Sequence, residues 1–422
     1  MSGALRPASG RYTRLRWRCI RLTQLAWFGL PWLQWDGRQA LLADFGAARF
    51  YCFGLVLAAP DLVYVLAALL AAVLALWLAA ALVERPWCGY LCPHSVYSEL
   101  FRAIARRIEG RRRPAARGRT LLTHAAWLLL AGWIGFTLVA YASPARALLP
   151  RLAAGALAPG ELAVMLAYAA LAYGNAGWMG ARFCRELCVS ARFQGALQDA
   201  ATLVIRYDAG RGEPRALRNR KRALPAGMAG DCVDCTLCLQ VCPAGIDIRN
   251  GPQHDCIGCG ACADACDAVM DKLRQPRGLV GYAAQAQAPR PRLALYGAGA
   301  VLLLAVAVVG LATRPAVRMQ AARDRAVPLR EAADGSVENV YRLHLASSDT
   351  QARRYRIIVA GLETVQVSPA AVWIGAGDVR AVPVTLRLAH RTAPHVPQPI
   401  RFELRADDNA VPVATAAALF SG

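Results

Sequence analysis

The sequence predicts a membrane α-helical bundle of about five transmembrane helices, with an inserted cysteine-rich α+β module and a C-terminal all-β sandwich. Three observations carry this prediction: a series of long apolar segments, a doubled cysteine run between Cys232 and Cys266, and a final stretch in which apolar and polar residues alternate. The composition agrees. Of 422 residues 56% are hydrophobic, and the mean hydropathy is +0.30, too apolar for a wholly soluble chain and too polar for a bare helix bundle.

The clearest span is residues 61–83, DLVYVLAALLAAVLALWLAAALV, longer than the roughly 20 apolar residues that cross about 30 Å of hydrocarbon. A helix satisfies its own backbone polar groups in lipid, which makes it the economical form. Similar segments run from Leu121 to Tyr141, from Glu161 to Trp178 and from Leu293 to Ala312. A weaker one, around Cys19 to Trp35, contains Pro31 and several tryptophans and is taken as the first span. The arginines leading into it meet no clear small-residue cleavage site, so no cleavable signal peptide is expected.

The formal charge of +21 comes almost wholly from arginine, and its placement decides its meaning. Arg6, Arg11, Arg14, Arg16, Arg18 and Arg21 precede or enter the first span, whereas the loop from Asp36 to Pro60 has only Arg38 and Arg49. The next loop carries IARRIEGRRRPAARGR, the one after it only Arg146 and Arg151, and the segment from Arg182 to Arg290 is again rich in arginine. This alternation places the N-terminus, the second loop and the long segment in the cytoplasm, and five spans put the C-terminus outside. The basic surplus is therefore topological, with the lipid bilayer as its partner and no role in nucleic-acid binding.

The organisation that follows has five parts: a basic N-terminus at 1–18, a four-helix membrane domain at 19–204, a cysteine-rich cytoplasmic module at 205–290, a fifth helix at 291–314 and a β domain at 315–422. In the last part ENVYRLHL, RYRIIVAGL, VRAVPVTLRL, PIRFELRA and VPVATAAALF alternate with turn signals between them, as a small sandwich requires. It holds no cysteine.

All fourteen cysteines lie between Cys19 and Cys266, unlike a secreted disulfide scaffold. Eight of them form C-x2-C-x2-C-x3-C twice: Cys232, Cys235, Cys238 and Cys242, then Cys256, Cys259, Cys262 and Cys266. In this pattern three close cysteines hold one [4Fe-4S] cluster and the fourth serves the other. The expected ligand sets are Cys232, Cys235, Cys238 and Cys266, and Cys256, Cys259, Cys262 and Cys242. Small residues such as Gly258, Gly260 and Ala261 leave room for amides to approach the sulfurs. A pair of zinc sites would more often show separated CxxC pairs.

Cys88 and Cys92 in PWCGYLCPHS follow the second span, and Cys184 and Cys188 in ARFCRELCVS follow the fourth. Both pairs fall at the cytoplasmic face, and an x3 spacing puts two sulfurs on one helix face. Four such thiolates could bind a soft metal such as Cu(I), hold a further cluster, or cycle between dithiol and disulfide. Isolated Cys19 and Cys52 read as small apolar residues. His94 is a candidate metal ligand, His254 and Asp255 are expected in a surface turn, and Trp27, Trp32, Trp35 and Trp87 suit an interfacial belt. IRYDAGRGEPR lacks the strand, loop and helix context of a nucleotide site.

In order, WCGYLCP, RFCRELC with ARFQ, RYDAGRGEPR, CPAGIDIRNGPQHDCIGC, DACDAVMDK and ENVYRLHL resemble the CcoG family, also called RdxA or FixG, and GLPWLQWDGRQALL and FYCFGLVL extend the likeness over nearly the whole chain. The resemblance implies a multi-pass inner-membrane protein with two [4Fe-4S] clusters in a ferredoxin-like module and a periplasmic immunoglobulin-like domain. It further implies reduction of Cu(II) to Cu(I) for assembly of a cbb-type cytochrome c oxidase, with Cys88, Cys92, Cys184 and Cys188 as the reactive, metal-binding set and copper as substrate. Implied partners are oxidase assembly factors or a copper chaperone and an unidentified electron donor, with a homodimer left open. The chain departs from the family in having His94 after Cys92 and Pro93, and Val189 and Ser190 after Cys188. Ferredoxin modules joined to CxxxCP helices also resemble the NapH and NosR group, which keeps open a quinol-oxidising subunit that feeds another reductase. A non-enzymatic scaffold or copper chaperone is the third reading.

Overall fold

A computed structural model describes residues 9–110, 117–216, 230–286, 289–323, 330–331, 336–348, 352–362, 364–375, 377–389, 397–406 and 411–420. The chain forms two compact units, one of residues 1–33 and 67–305, the other of residues 34–66 and 306–422.

The first unit begins with α1 (Arg11–Gly29), which ends at a 3-10 turn holding Pro31. Next come α2 (Leu62–Leu82), whose first turn belongs to the second unit, α3 (Pro93–Glu109), α4 (Arg117–Val139), α5 (Ala145–Ala153) and α6 (Pro159–Ala172). After α6 a π-helical turn continues to Met179, and α7 (Ala181–Glu186) and α8 (Val189–Ala196) follow.

Among the described residues four helices are long and apolar enough to cross a membrane: Ala59–Leu82, Arg117–Val139, Pro159–Met179 and Pro291–Ala312. They coincide with four of the five expected spans. The expected span from Cys19 to Trp35 is corrected: its helix starts earlier, at Arg11, and stops at Gly29, and a strand begins at Gln34. Arginines at 11, 14, 16, 18 and 21 occupy its first three turns, which leaves too short an apolar stretch to qualify by itself.

In sequence the cysteine module lies between α8 and the last membrane helix. The strands Val204–Tyr207 and Val280–Ala283 pair antiparallel, with Ile205 opposite Tyr282, and between them in sequence come α9 (Ala209–Gly212), α10 (Leu237–Gln240) and α11 (Ala261–Leu273). The module leads into α12 (Pro291–Ala312). RYDAGRGEPR is structural here: Asp208 caps α9, and Arg211 pairs with Asp231 at 2.6 Å.

In the second unit, Ser336–Ser347 lies between Val379–Ala389 and Val317–Arg323 in one sheet. Arg353–Ala360 and Gln398–Ala406 form the centre of the other. The faces enclose a core that includes Tyr341, Leu343, Val384, Phe402 and Phe420. This is the expected sandwich. The segment from Leu41 to Ala58, read from sequence only as a loop, is a three-stranded meander. Asp61, fully buried, pairs with Arg318 at 2.7 Å and Arg314 at 3.5 Å, fastening the start of α2 to the first strand of the sandwich and the residues just before it.

Candidate redox site

The two cysteine runs are folded alike. In each, the residues two and four positions after the first cysteine are left-handed: Asp234 (φ 48°) and Thr236 (φ 56°), then Gly258 (φ 62°) and Gly260 (φ 72°). The loop so formed turns backbone amides toward sulfur, as the 3.4 Å bond from Gly258 N–H to Cys256 Sγ illustrates. The third cysteine of each run then opens a helix, Cys238 in α10 and Cys262 in α11.

Cys238, Cys242, Cys256, Cys259 and Cys262 line one narrow cavity, walled by Ile205, Ile246, Ile248 and Ile257. They include the four thiols that the sequence groups for one cluster, with Cys242 contributed by the first run, and also Cys238 of the other expected set. Cys266 sits in turn among Cys238, Cys232 and Cys235. Burial, and then those three neighbours, push its thiol up to about 12. Burial likewise raises Cys238 to about 11 and holds Cys256 and Cys262 above their ordinary value. Metal-free, the thiols keep their protons, and iron would have to displace them. Among the described residues no three His, Cys, Asp or Glu side chains converge closely enough for a single metal ion. A soft sulfur set spread round an apolar cavity fits a cluster instead.

Cations flank both sets. Arg249 pairs with Asp247 at 2.6 Å and also with Asp234, and faces Cys238. Buried Arg16 of α1 donates to the Gly89 carbonyl at 2.8 Å and to Glu99 at 2.6 Å, and its charge acts on Cys259.

The CxxxC pairs form a second repeat. Cys88 lies in a π-helical turn and Cys184 in α7, and the partner of each is the N-cap of the next helix. Cys92 N–H donates to the Trp87 carbonyl at 2.7 Å and Cys188 N–H to the Phe183 carbonyl at 2.9 Å, a five-residue step in both. Cap dihedrals agree as well, −64° and 119° for Cys92, −73° and 107° for Cys188. Val189 in place of proline therefore leaves this helix start intact. Ser190 Oγ accepts from the Gln194 amide at 3.1 Å, and that amide also meets Cys88 Sγ at 3.5 Å.

The two pairs lie near enough for their charges to act on one another, though among the described residues no three of these thiols converge closely enough for a single metal ion. Burial raises Cys88 to about 12, and Cys92, Cys188 and Cys184 add to the rise; Cys184, raised to about 11, feels Cys92 and Cys188 in the same way. Arg85 opposes the shift at both thiols and reaches the Cys256 carbonyl at 3.3 Å. The quartet therefore lies against the second cysteine run. A Cβ on Gly89 would stand 2.7 Å from the Ile257 carbonyl, and Tyr282 donates to the Gly258 carbonyl. Glu84 holds the Ile205 amide at 3.0 Å.

His94 lines a cavity of about 400 Å3 with Cys184, but its Nε2 contacts the Gly180 carbonyl at 3.0 Å and Ser98 Oγ at 3.2 Å, and burial lowers its pKa. This neutral ring links α3 to the turn before α7. His254 and Asp255 do sit in an exposed turn, beside the thiols. Arg16, Glu84 and Arg85 escaped the sequence reading because they look like charged flanks of spans.

Apolar helices joined to a doubled cysteine module define a membrane-associated iron-sulfur electron-transfer protein. The family models agree: residues 179–285 match a 4Fe-4S dicluster domain, residues 64–112 a 4Fe-4S binding domain, and residues 307–422 the IG-like fold at the C-terminal of FixG. Protein RdxA of Cereibacter sphaeroides is 32% identical over 84% of this chain and 81% of its own length. Protein RdxB of the same organism is 34% identical over 83% and 80%. Nitrogen fixation protein FixG of Rhizobium meliloti is 33% identical over 65% of this chain and 56% of its own. The chain belongs to the CcoG/RdxA/FixG family.

Proposed function

We propose that the protein reduces Cu(II) to Cu(I) at the membrane-face thiols and passes Cu(I) to a carrier or assembly factor for the copper centre of a cbb-type oxidase. The observation that carries this reading is the nearness of Cys88, Cys92, Cys184 and Cys188 to one another and to the second cysteine run. When bound, the two [4Fe-4S] clusters supply one-electron transfer, one on Cys232, Cys235, Cys238 and Cys266 and the other on Cys256, Cys259, Cys262 and Cys242. Cys235 is exposed whereas Cys259 is buried, so a cluster held by the first set would lie nearer an outside electron donor and one held by the second would lie deeper in the protein. Thiolates prefer Cu(I) to Cu(II), so the quartet draws the reduction forward and keeps its product.

The charge alternation supports a cytoplasmic module and a periplasmic sandwich, given five crossings. On this reading the fifth is α1, which does not qualify by length and composition alone and would cross held by its neighbours. Asp264 of the module holds its first amides, and at its other end the Trp27 carbonyl accepts from Tyr141, just beyond α4.

The test is to reduce cluster-loaded protein, remove excess reductant and add Cu(II). Cluster oxidation should accompany a Cu(I)-chelator complex, and both should fall at least about tenfold in Cys88→Ser and Cys184→Ser. Unchanged reduction in both variants removes the thiols from the mechanism.

A second reading, in which quinol in the bilayer supplies the electrons, is favoured by one observation. An apolar cavity of about 1030 Å3 between α1 and the end of α2 is lined by Tyr12, Tyr90 and Tyr282, beside the second run. Cluster reduction by a quinol in nanodiscs, with no need for copper, would support it.

A further inference from the structure

The space in front of the thiols has a charge that a metal ion would not choose. Cys88 and Cys184 open onto a cavity of about 400 Å3, more than one hydrated ion fills and within the range that holds small ligands. Its polar wall consists of Arg85, Arg185, Arg192, His254 and Asp255, three guanidinium groups against one carboxylate. Asp255 meets Arg185 at 3.7 Å with both side chains about two-fifths exposed, a weak pair. Arg192 donates to the Glu186 carbonyl at 2.6 Å and Arg85 to the Cys256 carbonyl at 3.3 Å, which orients both without cancelling their charge. Among the described residues neither has a carboxylate partner within ion-pair distance. A hydrated dication is repelled from such a mouth. An anion with carboxylate groups is drawn in, because guanidinium forks match carboxylates two bonds at a time.

We propose that copper enters this cavity as an anionic small-molecule chelate, Cu(II) held by carboxylate donors, with Arg185 and Arg192 gripping the chelator and the metal turned toward the thiols. This rests on the copper-reducing reading above and names its substrate class. Each Cu(II) takes one electron from the reduced clusters, which lose one. The Cu–O bonds break, Cu–S bonds form as the thiols release their protons, and the chelator leaves as the free anion. Hard oxygen donors hold Cu(I) poorly, so the electron itself releases the metal to sulfur.

The experiment uses full-length, cluster-loaded protein in zwitterionic nanodiscs, reduced with dithionite and then freed of it. Cluster oxidation is followed after mixing with anionic Cu(II)-nitrilotriacetate or cationic Cu(II)-bis(ethylenediamine). The rate with the anionic chelate should fall as salt rises from about 0.02 to 0.2 M, and that with the cationic one should rise. In the double variant Arg185→Glu, Arg192→Glu the ratio of anionic to cationic rates should drop at least about tenfold. Both positions are partly exposed, and the visible cluster spectrum checks that the variant is intact. A ratio unchanged by the variant, or an anionic rate that climbs with salt, overturns the proposal. So does loss of the arginine dependence when anionic lipid replaces part of the bilayer, since headgroups would then be the natural occupants. A redox-inert arm separates this inference from the reading beneath it. If no copper complex oxidises the clusters, yet Zn(II)-nitrilotriacetate binds in equilibrium dialysis and the double variant does not bind it, the reductase reading falls and the anion-binding cavity stands. If the wild type does not bind it, the cavity proposal falls.

Discussion

The two cysteine runs share one covalent pattern and one backbone path, yet they live in different surroundings. Where the first run places Asp234 and Thr236 in the left-handed region, the second has glycine. Conformation alone does not explain this, because the first run adopts the same angles with side chains present. Space does. A Cβ on Gly258 would lie 2.1 Å from the Glu84 carbonyl oxygen, and one on Gly260 would lie 2.6 Å from Tyr12 Cβ. Asp264, two residues after Cys262, is buried and accepts from the Tyr12 and Thr13 amides at 3.2 and 2.7 Å, whereas its counterpart Gln240 bonds only within its own turn, to Thr236. The repeat has thus been divided into an outward run, open at Cys235, and an inward run pressed on the helices that carry the thiols.

The largest test of this difference is Gly258→Ala, which should abolish the cluster of the inward set, removing about half the iron, and destabilise the module by more than about 3 kcal/mol. Asp234→Gly at the matching place should keep all iron and change stability by less than about 1 kcal/mol. Iron and sulfide analysis with thermal melts decides between them, and equal losses would erase the distinction. Crossed ligation sharpens it further. Cys266→Ser should leave the paramagnetic spectrum of Cys235→Ser rather than that of Cys259→Ser, although Cys266 belongs to the inward run by sequence, and the reverse outcome would show uncrossed sets.

Smaller effects follow from the flanking groups. Asp264→Ala should cost about 1–2 kcal/mol through loss of the α1 cap, while Gln240→Ala stays within about 0.5 kcal/mol, as read from denaturant unfolding in detergent. Arg16→Gln and Arg249→Gln should each lower the potential of the cluster they face, since reduction adds negative charge there; about 59 mV corresponds to a tenfold change in that equilibrium. Arg16 is the more buried backbone-to-cluster link and should have the larger effect. A shift confined to Arg249→Gln would reverse the assignment of inward and outward.

Much of this was legible in the sequence because its signals are local. The apolar window at 61–83 became Leu62–Leu82, and the alternating C-terminal segments became the sandwich strands. Cysteine spacing also brought Cys242 of the first run to the thiols of the second, although Cys238 of the other expected set lines the same cavity. What escaped depends on pairing across the chain. Asp61 reads as the first residue of a span until Arg314 and Arg318 neutralise it. Arg16 reads as one topogenic arginine among five until Gly89 and Glu99 take it. The meander at 41–58 has strands of only four residues, too short to announce a period. Ser190 looked like the loss of a family feature, and it is the group that steers Gln194 onto Cys88.

The clasp between α1 and Asp264 has a consequence in time. The two partners are 252 residues apart, so α1 leaves the ribosome long before its cap exists. Until then its first amides have no partner from the module. Asp264 reaches it only when α11 has formed, and α11 carries Cys262 and Cys266, one thiol from each expected ligand set. The helix that carries a thiol from each set is thus also the one that holds the start of α1, so the order in which these parts form ties the N-terminus to the cysteine module.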